Sequence, residues 1–166
     1  MIYKIKIYGD TVLNKKAEEV TDFNREIKEI LDNMLETMYA QNGVGLAANQ
    51  VGILKQLITM DTGPKDSPKP IKMINPVIIE KSREKTEYEE GCLSFPGITE
   101  KIYRPSVVKV KFFDQDGNEK IMEFKGLEST VSQHEIDHLN GVLFINRMSA
   151  VKKMMLNKKL KELKRR

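Results

Sequence analysis

The chain holds two histidines and one cysteine, and both histidines fall in one short run, Gln133-His134-Glu135-Ile136-Asp137-His138. On a helix, residues four apart lie one turn away on the same face, so His134 and His138 can reach a single metal ion. Glu135 is turned about 100° from His134. It therefore stands beside such an ion, where a general base can take a proton from a water activated there. Taken alone, a run of this kind is equally compatible with two histidines that pack or face solvent. A catalytic site of this type draws three protein ligands and keeps a fourth position open. Cys92, in Glu90-Gly91-Cys92-Leu93-Ser94, is the favoured third ligand, since a thiolate binds zinc or ferrous iron strongly. One alternative is that Cys92 is a buried small hydrophobe. Another is that Glu162, the only acid after His138, completes the set. Against it, Glu162 stands among Lys159, Lys161, Lys164, Arg165 and Arg166, on a face that should be solvated.

A second segment, Gly43-Val44-Gly45-Leu46-Ala47-Ala48-Asn49-Gln50, fits the dinucleotide fingerprint GxGxxA only superficially. That fingerprint needs a strand before it and a helix after it, whereas a long amphipathic pattern precedes this one. Small residues here either end a helix in a tightly packed bend or let the backbone approach a ligand closely. In the second reading, Gln50 offers an amide that can donate to a developing oxyanion.

Several elements must position these groups. Phe23, Ile27, Ile30, Leu31, Met34, Leu35 and Met38 follow helical spacing, with Asp22 as the expected N-cap and Gly43 as the stop. Ile2, Ile5 and Ile7 point to a first strand, and β-rich stretches follow at 56–61, 71–80 and 84–93. The proline-containing run 63–70 reads as a surface loop. Residues 107–113 and 119–124 flank Asp116-Gly117, a hairpin signal. The histidine run sits in a helix expected over 127–139 and ending at Gly141, followed by a short strand at 142–145 and a basic helix over 150–163. The expected architecture is α+β: one domain over 1–166, with small β-sheets around a central HExxH helix, a helix in the N-terminal half and a helix at the C-terminus.

Composition narrows the setting. The chain's 166 residues suit one domain with its own core. The net charge of +4 is uneven: nine of the 28 Lys and Arg, but one of the 24 acids, lie from Arg147 onward. The basic character thus belongs to a tail. The N-terminus, MIYKIKIYGD, reads as neither signal nor transit peptide. No segment approaches transmembrane length, and a single cysteine cannot staple the fold, so a cytoplasmic setting with no membrane is expected.

GVGLAANQ at 43–50, EGCLS at 90–94 and QHEIDHLNG at 133–141 together resemble the three signature motifs of the peptide deformylases, in that family's order. Spacing and chain length are also similar, so the resemblance spans nearly the whole sequence. It implies a hydrolase that removes the formyl group from N-terminal formylmethionine of nascent polypeptides. It implies Cys92, His134 and His138 as metal ligands and Glu135 as acid/base, with Gln50 and the Leu93 backbone N–H holding the oxyanion. The resemblance further implies ferrous iron as the usual metal, with zinc, nickel or cobalt able to replace it.

Some family members carry an arginine soon after EGCLS, where this chain has Thr99. Arg104 matches a family arginine, and a pairing with Asp137 would orient the metal-binding helix. Selectivity for methionine requires an apolar pocket. Leu127 and Val131 share a helix face with His134, while Val44 and Gly45 of the first motif can supply another wall. In the tail, Met154, Met155, Leu156, Leu160 and Leu163 form an expected apolar stripe on a basic helix. Related deformylases are thought to dock on the ribosome through such a helix. Two other readings are a zinc endopeptidase using His134, His138 and Glu162, and a non-catalytic module with a structural metal. The latter lacks any further Cys or His as a fourth ligand.

Overall fold

The computed structural model describes residues 1–165. Helix α1, Arg25–Ala40, buries Ile27, Ile30, Leu31, Met34 and Met38 along one face, as their spacing requires. Its N-cap is Asn24 rather than Asp22: the Asn24 side chain accepts from Ile27 N–H at 3.1 Å, and Asp22 instead accepts from the Asn24 amide. At the other end Asn42 takes a left-handed conformation, φ 56°. Gly43 N–H then closes the helix onto Met38 O at 2.9 Å, and Asn42 N–H onto Tyr39 O at 3.1 Å.

Strand β1, Gly45–Ala47, follows at once and is the edge of a five-stranded antiparallel sheet. The other members are β2 (Leu57–Met60), β3 (Ile71–Lys81), and two strands from the later half of the chain. Strands β4, Lys85–Gly91, and β5, Thr99–Pro105, form a separate two-stranded sheet in which Glu90 faces Glu100 and Gly91 faces Thr99. Strands β6, Val107–Phe113, and β7, Glu119–Lys125, are the hairpin around Asp116-Gly117, and the large sheet runs β1-β2-β3-β6-β7.

Helix α2, Leu127–Leu139, packs on β1, β2, β5 and β7 and has ten of its 13 residues buried. Several of the ten are polar, so they need internal partners. Ser129 Oγ and Gln133 Nε2 both donate to Pro105 O at 2.9 Å, tying α2 to the end of β5. Beyond it, Gly141 at φ 75° turns the chain under Asn14, where a Cβ would meet the Asn14 carbonyl at 2.6 Å.

Three expectations are corrected. Residues 1–7 form no strand. Their N–H groups go singly to different partners, Tyr3 to Thr37 Oγ1, Lys6 to Gln50 O and, just beyond, Tyr8 to Ser94 O. The segment is a strap across the Gln50 and Ser94 loops. Residues 142–145 are not a strand either, because Phe144–Arg147 is a 3-10 turn with Asn146 Oδ1 accepting from Leu143 N–H. The tail is two helices, α3 (Ala150–Met155) and α4 (Asn157–Lys164), separated at Leu156. The change of register at Leu156 divides the expected stripe. Leu160 and Leu163 are buried against Leu13, Phe95 and Phe144, whereas Met154 and Met155 are more than 70% exposed.

Candidate active site and metal centre

Three segments distant in sequence converge at one end of α2. His134 and His138 face the same way from the helix, their ring centroids 5.0 Å apart. Cys92 enters from the turn after β4 and brings Sγ to 3.3 Å from His138 Nε2. One ligand atom from each of Cys92, His134 and His138 lies within 4.8 Å of the others. Among the described residues no other group of three potential ligands draws together in this way, and Glu162 lies exposed on α4.

The donor set suits a borderline divalent ion. With ligand bonds of about 2.3 Å to sulfur and 2.0–2.1 Å to nitrogen, a tetrahedral S···N edge is roughly 3.5 Å, close to the 3.3 Å between Cys92 and His138. His134 Nδ1 lies 2.9 Å from Glu90 Oε1. Glu90, although buried, is held below the ordinary carboxyl range by hydrogen bonds and charge from His134 and Arg104. It is therefore the acceptor, Nδ1 carries the hydrogen, and Nε2 is left for an ion. Burial opposes a charge on His134, but Glu135, Cys92 and Glu90 together outweigh it and raise its pKa well above the usual value. His138 is pushed well below by burial and by the positive charges of His134 and Arg104. The two imidazoles are thus shifted in opposite directions.

Glu135 is buried, and burial pushes its carboxyl up to about 7. Its Oε1 has no hydrogen-bond partner among the described residues. The carboxylate rests against β1 where only glycine leaves room: a Cβ on Gly45 would stand 2.5 Å from Glu135 Oε2 and 2.8 Å from Val131 Cγ1. Gly45, expected as a wall of the substrate pocket, thus also sets the seat of Glu135. Gln50, in the 3-10 turn Ala48–Val51 that follows β1, is anchored by the end of that strand, since Ala47 N–H donates to its Oε1 at 3.0 Å. That bond fixes the amide's orientation and turns Nε2 toward Cys92 Sγ at 3.4 Å and Ser94 Oγ at 3.2 Å.

These groups open into a cavity of about 450 Å³. Gln50, Leu93, Glu135, Val44, Leu127 and Val131 all line it. Val44 and Leu127 are partly exposed at its mouth and Val131 is buried within it. Gly43 packs closely on the Leu93 side, where a Cβ would meet the side-chain tip Leu93 Cδ1 at 2.9 Å.

Arg104 is buried between two carboxylates. It grips Glu90 through Nε at 2.7 Å and Nη2 at 3.1 Å, and donates from Nη1 to Asp137 Oδ2 at 2.9 Å. Arg147 completes the chain, meeting Asp137 from the surface at 2.9 and 3.1 Å. Sequence reasoning quoted Glu90 within its motif without giving it a task, and it did not single out Arg147. The available signal for Glu90 was an acid two positions before Cys92, on the strand face that turns inward.

The chain is similar to known proteins over nearly its whole length. Residues 2–154 match the family model for polypeptide deformylase. A peptide deformylase of Thermodesulfovibrio yellowstonii is 47% identical over 161 residues, 96% of this chain and 97% of that one. Among solved structures, the Thermotoga maritima peptide deformylase superposes with a TM-score of 0.85 at 46% identity, covering 90% of this chain and 99% of that one. The Thermus thermophilus peptide deformylase gives 0.93 at 36% identity, covering 99% of each.

Proposed function

The chain belongs to the polypeptide deformylase family, and on that premise we propose that it is a metal-dependent hydrolase in which Glu135 is the acid/base for deformylation of nascent chains. The observation that carries this reading is a buried carboxylate with an unpartnered oxygen, lining the same cavity as a convergent Cys92, His134 and His138. Cys92, His134 and His138 would hold one divalent ion, ferrous iron in the cell, with Zn2+, Ni2+ or Co2+ able to substitute. When bound, such an ion supplies Lewis acidity, which makes water nucleophilic near neutral pH and polarises a carbonyl.

The residues do the rest. Glu135 takes the proton of the attacking water as its oxygen bonds to the formyl carbon. Gln50 Nε2 and the Leu93 N–H donate to the charge that develops on the formyl oxygen. Glu135 then gives its proton to the leaving nitrogen as the C–N bond breaks, yielding formate and a free methionine amine. Val44, Leu127 and Val131 surround the methionine side chain, with Gly45 keeping the wall thin. Glu90 holds the His134 ring, and Arg104 with Asp137 holds Glu90 and α2 in register.

Among the described residues no helix is long and apolar enough to cross a membrane, and a cytoplasmic enzyme acting on emerging chains is the setting proposed. The basic tail, with Lys158, Lys159, Lys161 and Lys164 exposed on α4 and Arg165 exposed just after it, would meet the phosphate-rich ribosome surface there. Anaerobic purification with elemental analysis, followed by formate release from a formyl-Met peptide, tests the reading. One metal equivalent and stoichiometric formate are expected. A metal-loaded protein that releases no formate, or cleaves internal peptide bonds, would refute it.

A further inference from the structure

Two arginines and two carboxylates alternate between the protein surface and the ring of His134. The outermost, Arg147, meets Asp137 with two nitrogens: Nη2 donates to Oδ1 at 2.9 Å and Nε to Oδ2 at 3.1 Å. Arg104 reaches the same carboxylate with one nitrogen, Nη1, on Oδ2 at 2.9 Å. Arg104 also forks onto Glu90, and Glu90 Oε1 accepts from His134 Nδ1 at 2.9 Å. The two arginines are not equivalent. Arg104 is buried, whereas the Arg147 side chain is 51% exposed and pairs only with Asp137 among the described residues.

A carboxylate held at one oxygen can still rotate about its Cβ–Cγ bond. One gripped at both oxygens by a planar guanidinium has its plane fixed. Arg147 supplies that second point, because Asp137 Oδ1 accepts from no other side chain among the described residues. It thereby aims Oδ2 at Arg104. The Arg104 guanidinium must satisfy Asp137 and Glu90 together, so its tilt sets where Glu90 Oε1 stands against the His134 ring. The base of Arg147 is fixed by other means. In its turn Phe144 and Ile145 are buried, and Asn146 Oδ1 accepts from Leu143 N–H at 2.8 Å. None of these anchors uses the Arg147 side chain, which springs from a rigid turn and carries no duty in forming it.

We infer that Arg147 is a positioning residue for the metal centre: by fixing the plane of Asp137 it keeps Arg104, Glu90 and the His134 ring in the orientation that leaves Nε2 for the ion. The inference rests on the reading of Cys92, His134 and His138 as the ligands and adds a surface residue to it. Arg147 is half exposed, so salt should weaken its grip. Its effect on the ion should also be smaller than that of Glu90, which bonds a ligand directly.

The test uses the Co2+-loaded protein. Chelator competition reads affinity, the visible absorption of the ion reads ligand geometry, and melting of the metal-free protein reads the fold. Arg147→Met keeps the stem and removes the fork. It should weaken Co2+ binding by about fivefold at low salt, the upper end of what a partly exposed ion pair contributes. The Co2+ spectrum should shift, while the metal-free protein melts close to the parent. Arg147→Lys should restore only part of the affinity, since an ammonium cannot hold both oxygens in one plane. In an Asp137→Ala background Arg147→Met should cause no further loss, because the two residues act as one unit. Unchanged affinity and spectrum in folded Arg147→Met would overturn the inference, as would full recovery by lysine or an equal loss without Asp137. A lowered melting temperature with affinity unchanged would also overturn it, leaving Arg147 a purely structural role. A parent that binds no Co2+, or binds it equally well after Cys92→Ala, would instead overturn the reading of the metal centre.

Discussion

Gly45→Ala isolates the seat of the proposed base. Gly45 sits in β1 without a positive φ, so alanine meets no backbone penalty and any effect comes from the added methyl. That methyl would stand 2.5 Å from Glu135 Oε2, 2.8 Å from Val131 Cγ1 and 3.0 Å from Glu135 Cγ. Ordinary contact needs about 3.5 Å or more, so the carboxylate must retreat by roughly 1 Å. Displacement of that size from the reacting geometry reduces turnover by about 10²-fold. The overpacking itself should destabilise the fold by about 1–3 kcal/mol, a fall of several degrees in Tm for a chain of this length. The new methyl's three nearest neighbours belong to Glu135 and Val131 and not to Cys92, His134 or His138, so metal content should stay near one equivalent. Steady-state formate release, metal analysis and thermal melting together read all three quantities. Near-normal kcat in a folded, metal-loaded variant would refute the claim that Gly45 positions Glu135.

Other substitutions separate the remaining roles. Gln50→Ala should lower kcat by about 10²–10³-fold, the usual loss for one oxyanion donor; a change confined to KM would show that Gln50 only binds substrate. Glu90→Ala should destabilise by about 3–5 kcal/mol because Arg104 is left buried with half its partners, and should weaken metal binding by about 10–100-fold. Denaturant unfolding and chelator competition read these, and an unchanged metal affinity would remove Glu90 from the metal centre. Neutralising Lys158, Lys161, Lys164 and Arg165 should reduce ribosome co-sedimentation at low salt while short-peptide cleavage continues. Identical sedimentation of variant and parent would sink the tail's proposed role.

Local signals explain where sequence reading succeeded. Helix α2 was legible to its ends, because Gly126 and Gly141 bracket it with positive-φ turns that few other residues adopt. The β6–β7 hairpin was equally plain, with Asp114 and Gly117 closing its loop. Strand β5 was missed because its inward face carries Ile102 beside Arg104 and Glu100, so the apolar alternation that marks a half-buried strand is absent. The Arg104 charge turns inward to meet Glu90 and Asp137, partners 14 and 33 residues away. The N-terminal isoleucines misled for the opposite reason: Ile5 and Ile7 pack a strap onto two parts of the core rather than pairing in a ladder, and Ile2 is exposed. The break at Leu156 left no mark: no glycine or proline stands there, and only docking of Leu160 and Leu163 on the core sets the new register. For the site, the three motifs brought most candidate residues forward and the resemblance pointed to the Arg104–Asp137 pair, but the contacts that join Glu90 and Arg147 to that pair are non-local, and no spacing encodes them.

The most direct measurement is formate release by Glu135→Gln, compared with the parent at equal, measured metal occupancy. Glutamine keeps the side chain's shape but cannot accept the proton, and Glu135 is not among the converging ligand atoms. A full metal complement is expected, with turnover reduced by at least about 10²-fold, as loss of a general acid/base requires. Turnover close to the parent's in the fully loaded variant would contradict the role given to Glu135.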